Sequence, residues 1–290
     1  MKKLPDPAKL PLSVVIITLN AERTLLQTLT SVIDWADEVV IVDSGSIDAT
    51  LTIARIIGCR IYHRTFDGYG PQKQYAVEQA THDWVLLLDA DEVVDDTLQR
   101  AIWRVMAIPP NEDQAFSVSR RLVFMGQAMR YVGESRRPLV RLFNKKTAQV
   151  SAALVHEQVT VSGDIVPLAG MLWHYSYGSL HEYLEKLNRY TTLGAGELAK
   201  ANRRQTRLLL PVRFIWTFLA TYLFKGGFLD GFAGFIWSLF SAIYPIAKYA
   251  KLHELRTGQA AVHPETPKPV VSLATPDTSI AAVKVYYGRK

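Results

Sequence analysis

Cysteine is nearly absent from this 290-residue chain. Its single example, Cys59, excludes an internal disulfide and a cysteine-based zinc site, and it suits a reducing compartment. No Gly-x-Gly-x-x-Gly and no Gly-x-x-x-x-Gly-Lys-Ser/Thr follows a predicted strand, which disfavours the dinucleotide-binding and P-loop versions of an α/β architecture. Internal repeats of solenoid period are lacking as well. No secretory leader is legible: after Met1-Lys2-Lys3 the chain passes Pro5, Pro7 and Pro11 before a short apolar run, so the N-terminal half is expected to stay in the cytoplasm.

What is present is the composition of a folded protein. Hydrophobic residues make up 49% and charged residues 21%, which excludes wholesale disorder, a collagen-like repeat and a coiled coil. A formal charge of +6 asks for a phosphate-rich partner, either nucleic acid or an anionic membrane surface. The basic residues flank apolar segments instead of lining a polar surface with exposed aromatics, so nucleic acid is disfavoured.

Residues 13–19 form a β-branched run followed by Asn20-Ala21-Glu22-Arg23-Thr24 and a helical pattern through Leu25, Leu29 and Val32. The unit recurs. A strand over 38–42 closes on Asp43-Ser44-Gly45-Ser46, with Asp48 capping a helix to about residue 57; a strand over 60–63 and a Gly/Pro loop lead to a helix ending near residue 80. The strand over 84–88 follows. Strands alternating with helices imply a mostly parallel sheet covered on both faces. From residue 115 the strands are shorter and more polar, predicting a smaller mixed or antiparallel extension closed by a helix over about 179–201.

Two long apolar stretches follow, 208–224 and 226–247, broken by Arg213 and Asp230. Basic residues flank them on every side: Arg203, Arg204 and Arg207 before, Lys225 between, Lys248, Lys251 and Arg256 after. A bilayer-crossing hairpin with its only turn at Lys225-Gly226-Gly227 would be very tight. Helices lying in the membrane interface, with Trp216, Tyr222, Trp237 and Tyr244 at headgroup depth, fit better. The chain therefore divides into a catalytic-type domain over 1–202, a membrane-associated helical segment over 203–256 and a tail over 257–290 with the composition of a disordered extension.

Chemistry concentrates at strand ends. Asp89-Ala90-Asp91-Glu92 follows the 84–88 strand directly, at the carboxyl end where open α/β sheets place their ligands. Two carboxylates two residues apart suit Mg²⁺ or Mn²⁺, which in turn holds a diphosphate; the blander role is to cap the next helix, for which Asp91 and Asp95 both qualify. Asp43 ends another strand beside Gly45 and can accept hydrogen bonds from a ribose or a base. Arg136, Arg137, Arg141, Lys145 and Lys146 form a basic cluster, read either as a solvated strand pair or as contacts to acceptor phosphates or lipid headgroups.

The set Val14-Val15-Ile16-Ile17-Thr18-Leu19-Asn20, Val42-Asp43-Ser44-Gly45-Ser46-Ile47-Asp48-Ala49-Thr50 and Leu87-Leu88-Asp89-Ala90-Asp91-Glu92 resembles the family 2 glycosyltransferases. Gly68-Tyr69-Gly70-Pro71-Gln72-Lys73, Val140-Arg141-Leu142-Phe143, Val155-His156-Glu157 and His174-Tyr175-Ser176 are similar to the branch that adds glucose to heptose of the lipopolysaccharide inner core. Phe228-Leu229-Asp230-Gly231 and Lys248-Tyr249 resemble that branch's membrane-proximal end.

The resemblance implies a GT-A fold, a UDP-sugar donor, a divalent metal (Mn²⁺ or Mg²⁺), inversion at the anomeric carbon and a glycolipid acceptor at the cytoplasmic face of the inner membrane. Carried over by position, Thr18, Asn20 and Glu22 lie beside the donor nucleotide, Asp43 reads the base, Lys73 lies near the base or diphosphate, and Asp89 meets the ribose or sugar. Asp91 meets the metal, with His174 completing its coordination. Inversion in one step needs a base for the acceptor hydroxyl. Glu157 is the preferred base, with Glu134 and Glu92 as rivals, and His156 joins the acceptor contacts. Tyr131-Val132-Gly133-Glu134-Ser135 departs from the branch's arrangement, on the acceptor side. Two competing functions are a transferase acting on a polyprenyl phosphate, which needs no base such as Glu157, and an inactive membrane scaffold, against which the acids at 43, 89 and 91 count.

Overall fold

The computed structural model describes residues 9–108, 110–133, 138–151, 158–201 and 209–257. Its first half realises the expected alternation: β1 (Leu10–Thr18), α1 (Glu22–Thr30), β2 (Ala36–Asp43), α2 (Thr50–Ile57), β3 (Arg60–His63), α3 (Tyr69–Glu78) and β4 (Trp84–Asp89). β1, β2 and β4 are rich in continuous apolar residues because both their faces are covered, whereas β3 at the sheet edge is partly exposed. Val14 and Ile16 pack with Leu25, Leu29, Leu98 and Ile102 on one face, while Val15, Val40 and Val42 pack with Ala76 and Val77 on the other.

The second half contains β5 (Glu92–Val94), α4 (Asp96–Met106), β6 (Ala115–Phe124), β7 (Gln127–Ala128), β8 (Leu139–Asn144), β9 (Ala148–Val150), β10 (Val159–Val161) and β11 (Ile165–His174). The main sheet runs β3-β2-β1-β4-β8-β6-β11-β5, with β7 paired to β6 and a separate β9–β10 ribbon. β1, β2, β3 and β4 are parallel. β8 is antiparallel to β4 and β6, whereas β11 runs parallel to β6, so the extension is mixed. The chain leaves β1 on one side through β2 and β3 and returns on the other as β4. That reversal of strand order is a topological switch point, where open α/β sheets open a ligand crevice at their carboxyl ends.

Local caps explain the boundaries. Asp95, not Asp91, caps α4: its carboxylate accepts the Leu98 N–H at 2.6 Å, which leaves Asp91 for other work. α4 then lies against β11 at a register shift where Gly170 has φ +104°. A Cβ at Gly170 would stand 2.2 Å from the Leu98 nitrogen, so only glycine permits this approach.

The C-terminal helices are α5 (Leu180–Lys200), capped by Ser179, then α6 (Leu210–Leu219) and α7 (Gly231–Thr257). A π-helical turn over Ala220–Phe224 and a 3-10 turn over Gly227–Asp230 connect α6 to α7, with the expected bend at Gly226 in the left-handed region. The segment Gly227–Thr257 is long and apolar enough to cross a membrane by length and composition. The first turns of α7 also share a core with the sheet: Ala233, Ile236 and Trp237 pack with Leu122, Phe124, Met129 and Tyr183. Asp230, which interrupts the apolar pattern in the sequence, is buried there. Its carboxylate accepts the backbone N–H groups of Arg130, Tyr131 and Val132 at 2.8–3.0 Å, fastening the start of α7 to the loop after β7. The expected boundary at 202/203 and the tail 258–290 lie outside the described residues.

Candidate active site

The carboxyl ends of β1, β2 and β4 are in register, with Thr18 opposite Asp43 and Ile17 opposite Asp89. Asp43 is buried, and four donors fill its carboxylate: the hydroxyls of Thr18 (2.8 Å) and Ser46 (2.5 Å) and the N–H groups of Gly45 and Ser46. Burial pushes its carboxyl up, but these bonds outweigh burial and hold it below the usual carboxylate range. Asp43 thus shapes the turn in which Gly45 has φ +99°. A base N–H would have to displace one of these donors.

Asn20 and Glu22 stand at the end of β1 as expected, with their side chains engaged across to the next loop. Asn20 sits at φ +50°, a conformation asparagine tolerates, and its side-chain oxygen accepts the Ile47 N–H at 2.9 Å. Glu22 accepts the Ala49 N–H while Asp48 accepts the Glu22 N–H, so each acid serves the start of the other's helix. Both residues frame the crevice, and both carry internal bonds where the sequence suggested only ligand contacts.

Asp89 lies in a ring of cations. Its carboxylate meets Lys73 Nζ at 2.6 Å and Arg141 at 2.9 Å, with Arg120 at 3.8 Å, yet the side chain keeps 25% of its surface open. Desolvation raises its carboxyl, and Lys73 and Arg141 overcome that to hold it well below the ordinary range. Glu92 is fully buried beneath it, accepting the Asp89 N–H at 3.0 Å and bonds from Arg141 (2.5 Å) and Arg120 (3.1 Å). These bonds make Glu92 a support beneath Asp89 that holds both guanidinium groups.

Arg141 requires a correction. Its expected place in an exposed basic cluster fails because the side chain is buried against Asp89 and Glu92, out of reach of lipid headgroups. The cluster itself dissolves further: Lys145 bonds the Ala80 carbonyl and Lys146 pairs with Asp83 at 2.7 Å. Glu134, Arg136, Arg137, His156 and Glu157 lie outside the described residues.

The antiparallel pairing of β5 with β11 sets His174 opposite Glu92, and this register carries the imidazole to Asp91. His174 Nε2 is 3.3 Å from the Asp91 carboxylate, and the Asp91 carbonyl accepts the Tyr175 N–H. Burial raises the Asp91 carboxyl, but His174 outweighs it and leaves the group below its usual range. Among the described residues no three His, Cys, Asp or Glu side chains gather closely enough to hold a cation alone. A carboxylate and an imidazole with 26% of the Asp91 side chain open are nevertheless the donor set of an Mg²⁺- or Mn²⁺-type site completed by substrate phosphates. The residues present fit such an ion.

No sequence signal pointed to Arg120, and Gln72 entered only as part of the stretch 68–73, without a role. Arg120 sits on β6 in a polar strand with no motif around it; only its approach to Glu92, 28 positions away, reveals it. Gln72 is buried and bonds the Ser44 hydroxyl and the Arg64 carbonyl, tying α3 to the Asp43 turn.

The carboxyl ends of β1, β2 and β4 thus gather Asp43, Asp89 with its three cations and the Asp91–His174 pair at the switch point where open α/β proteins place their ligands. Residues 13–152 match the family model Glycosyl transferase family 2. An uncharacterized glycosyltransferase of Rickettsia typhi is 31% identical over 84% of this chain and 87% of its own. The lipopolysaccharide core biosynthesis glycosyltransferase LpsC of Rhizobium meliloti is 30% identical over 85% of this chain and 93% of its own. Glucosyl-3-phosphoglycerate synthase of Mycobacterium tuberculosis, solved with Mn²⁺ and UDP, aligns at 22% identity over 38% of this chain and 44% of its own, with a TM-score of 0.33. The chain belongs to the family 2 glycosyltransferases.

Proposed function

We propose that the protein is an inverting, metal-dependent hexosyltransferase. It moves a hexose, glucose by the resemblance to the inner-core branch, from a UDP-sugar to a glycolipid at the cytoplasmic face of the inner membrane, with heptose of the lipopolysaccharide core as acceptor. The observation that carries this reading is the meeting of the Asp91–His174 pair with the Lys73–Asp89–Arg141 cluster at the switch point. The likeness to LpsC over most of both chains supports the acceptor class.

In this reading Lys73 and Arg120 face the diphosphate, and Glu92 holds Arg141 and Arg120 in place. Asp89, fixed by Lys73 and Arg141, orients the ribose or sugar. Asp91 and His174 hold the divalent cation. When bound, the cation offsets the charge that develops on the departing diphosphate. Glu157 takes the proton from the acceptor hydroxyl as its oxygen attacks the anomeric carbon and the bond to the diphosphate oxygen breaks. The apolar face of α6 and of the first turns of α7, with Trp216 63% and Phe232 67% exposed, supports attachment to a membrane surface, with Arg213 and Lys225 beside it for anionic headgroups.

The test is UDP release from a panel of UDP-sugars with Mn²⁺ or Mg²⁺, with and without heptose-containing rough lipopolysaccharide. Acceptor-dependent release from one sugar is expected. Release that requires a polyprenyl phosphate instead would overturn the acceptor, and absence of UDP binding would overturn the donor.

A further inference from the structure

Between α5 and α7 lies a cleft of about 310 Å³, near the lower end of small-molecule sites, which span roughly 300–1,000 Å³. Tyr177, Tyr183, Tyr190, Trp237 and Tyr244 form its walls, with Lys186 as its cation. We infer that this cleft is the acceptor subsite, receiving the phosphorylated saccharide headgroup of a membrane-anchored glycolipid. The inference deepens the proposed function and rests on it for the identity of the reaction.

Position is the first argument. Tyr177 is three residues beyond His174, on the loop whose Tyr175 N–H bonds the Asp91 carbonyl. Lys186 bonds the Ser176 carbonyl at 2.6 Å and lies over the Tyr177 ring at 4.9 Å. One end of the cleft therefore adjoins the donor site.

The other end lies between Tyr190 of α5 and Tyr244 of α7, while Trp237, near the first turns of α7, lines the same cleft. Lys248 of α7 lies over the Tyr244 ring at 5.6 Å and crosses to α5 at Gly194, where a Cβ would come within 2.9 Å of its Cδ. α7 carries both this cleft and, in its first turns, the exposed Phe232 and Phe235. A lipid anchored along those turns brings its headgroup to the cleft and its reacting hydroxyl toward Asp91.

Chemistry is the second argument. Aromatic rings with hydroxyl tips offer an apolar body and a polar handle, matched to the alternating C–H faces and hydroxyls of a sugar. Lys186, which also pairs with Glu182 at 3.2 Å, is the cleft's point charge for a phosphate.

The test uses the full chain, UDP-glucose and rough lipopolysaccharide as probe, with two variants outside the donor site. Ser241→Phe fills the cleft, and Tyr190→Ala removes an exposed wall whose loss leaves the core intact. Ser241→Phe should raise the half-saturating acceptor concentration at least tenfold and Tyr190→Ala several-fold, with half-saturation by UDP-glucose unchanged. Both variants following the wild-type acceptor curve would overturn the inference, as would donor and acceptor affinity falling together. If Ser241→Phe does not fold, Tyr190→Ala decides. Binding of the same probe without donor, read by tryptophan fluorescence, separates this inference from the reading it rests on. Probe binding lost in the variants beside a wild type without turnover would uphold the cleft and sink the proposed reaction; equal binding would sink the cleft.

Discussion

At the carboxyl ends of β1, β2 and β4 the carboxylates of Asp43, Asp89, Asp91 and Glu92 all have named partners, while along α6 and the start of α7 large apolar side chains such as Val212, Ile215, Phe224 and Phe232 stand in the open. In the proposed function the first region takes the ionic donor. The second exposes large apolar side chains over neighbouring elements, which is what the proposed attachment to a membrane surface requires. Asp230 joins the two, because three N–H groups of the loop after β7 depend on one carboxylate at the root of α7.

The sharpest break in this comparison comes at the cation pair. Asp91→Asn should lower metal-dependent turnover by about 10³-fold, roughly 4 kcal/mol of transition-state stabilisation, with only a small drop in melting temperature from the lost His174 pair. Steady-state rates and thermal denaturation of the same preparation check both halves of that statement. Next is the joint. Asp230→Ala leaves three backbone donors without their acceptor and should cost about 3 kcal/mol, read by urea denaturation. A loss below about 1 kcal/mol would mean that α7 is not fastened there.

Phe232→Glu tests the apolar side alone. Burying a large side chain stabilises by about 2 kcal/mol, so vesicle affinity should fall roughly 30-fold with UDP binding intact. Unchanged cosedimentation with anionic vesicles would refute the membrane-surface reading.

The smallest effect lies at the opposite end of the sheet. Glu38 accepts bonds from Ser13, Thr81 and Arg60; burial raises its carboxyl, and these bonds together bring it down from 4.5 to about 2. A depressed acid contributes stability that is complete above its unfolded value and is lost as pH falls toward the folded one. The wild type should therefore lose about 1 kcal/mol more than Glu38→Gln between pH 4.5 and 2, the figure being discounted because Arg60 is half exposed.

The first half of the fold was legible because β1, β2 and β4 are uninterrupted apolar runs that each end near an acid, a pattern with a local cause. Asp43, Asp89 and Asp91 were singled out on the same signal together with the family resemblance, and Lys73 by the resemblance alone. Arg141 was misread because its alternating strand looks half exposed, whereas its counter-charges lie 49 and 52 positions away. Arg120 escaped for the same reason. Asp230 looked like a flaw in a hydrophobic segment, since a carboxylate that caps a remote loop leaves no local trace. His174 was assigned by resemblance; its physical reason is a strand register that no local pattern encodes.

The central claim is that the switch-point crevice binds a nucleoside diphosphate through a cation held by Asp91 and His174. Calorimetric titration of the wild-type protein with UDP, with and without Mn²⁺, tests it most directly. The account predicts binding that tightens by at least tenfold with Mn²⁺ and loses that gain in Asp91→Asn. UDP binding indifferent to the metal, or equally metal-dependent in Asp91→Asn, would contradict it.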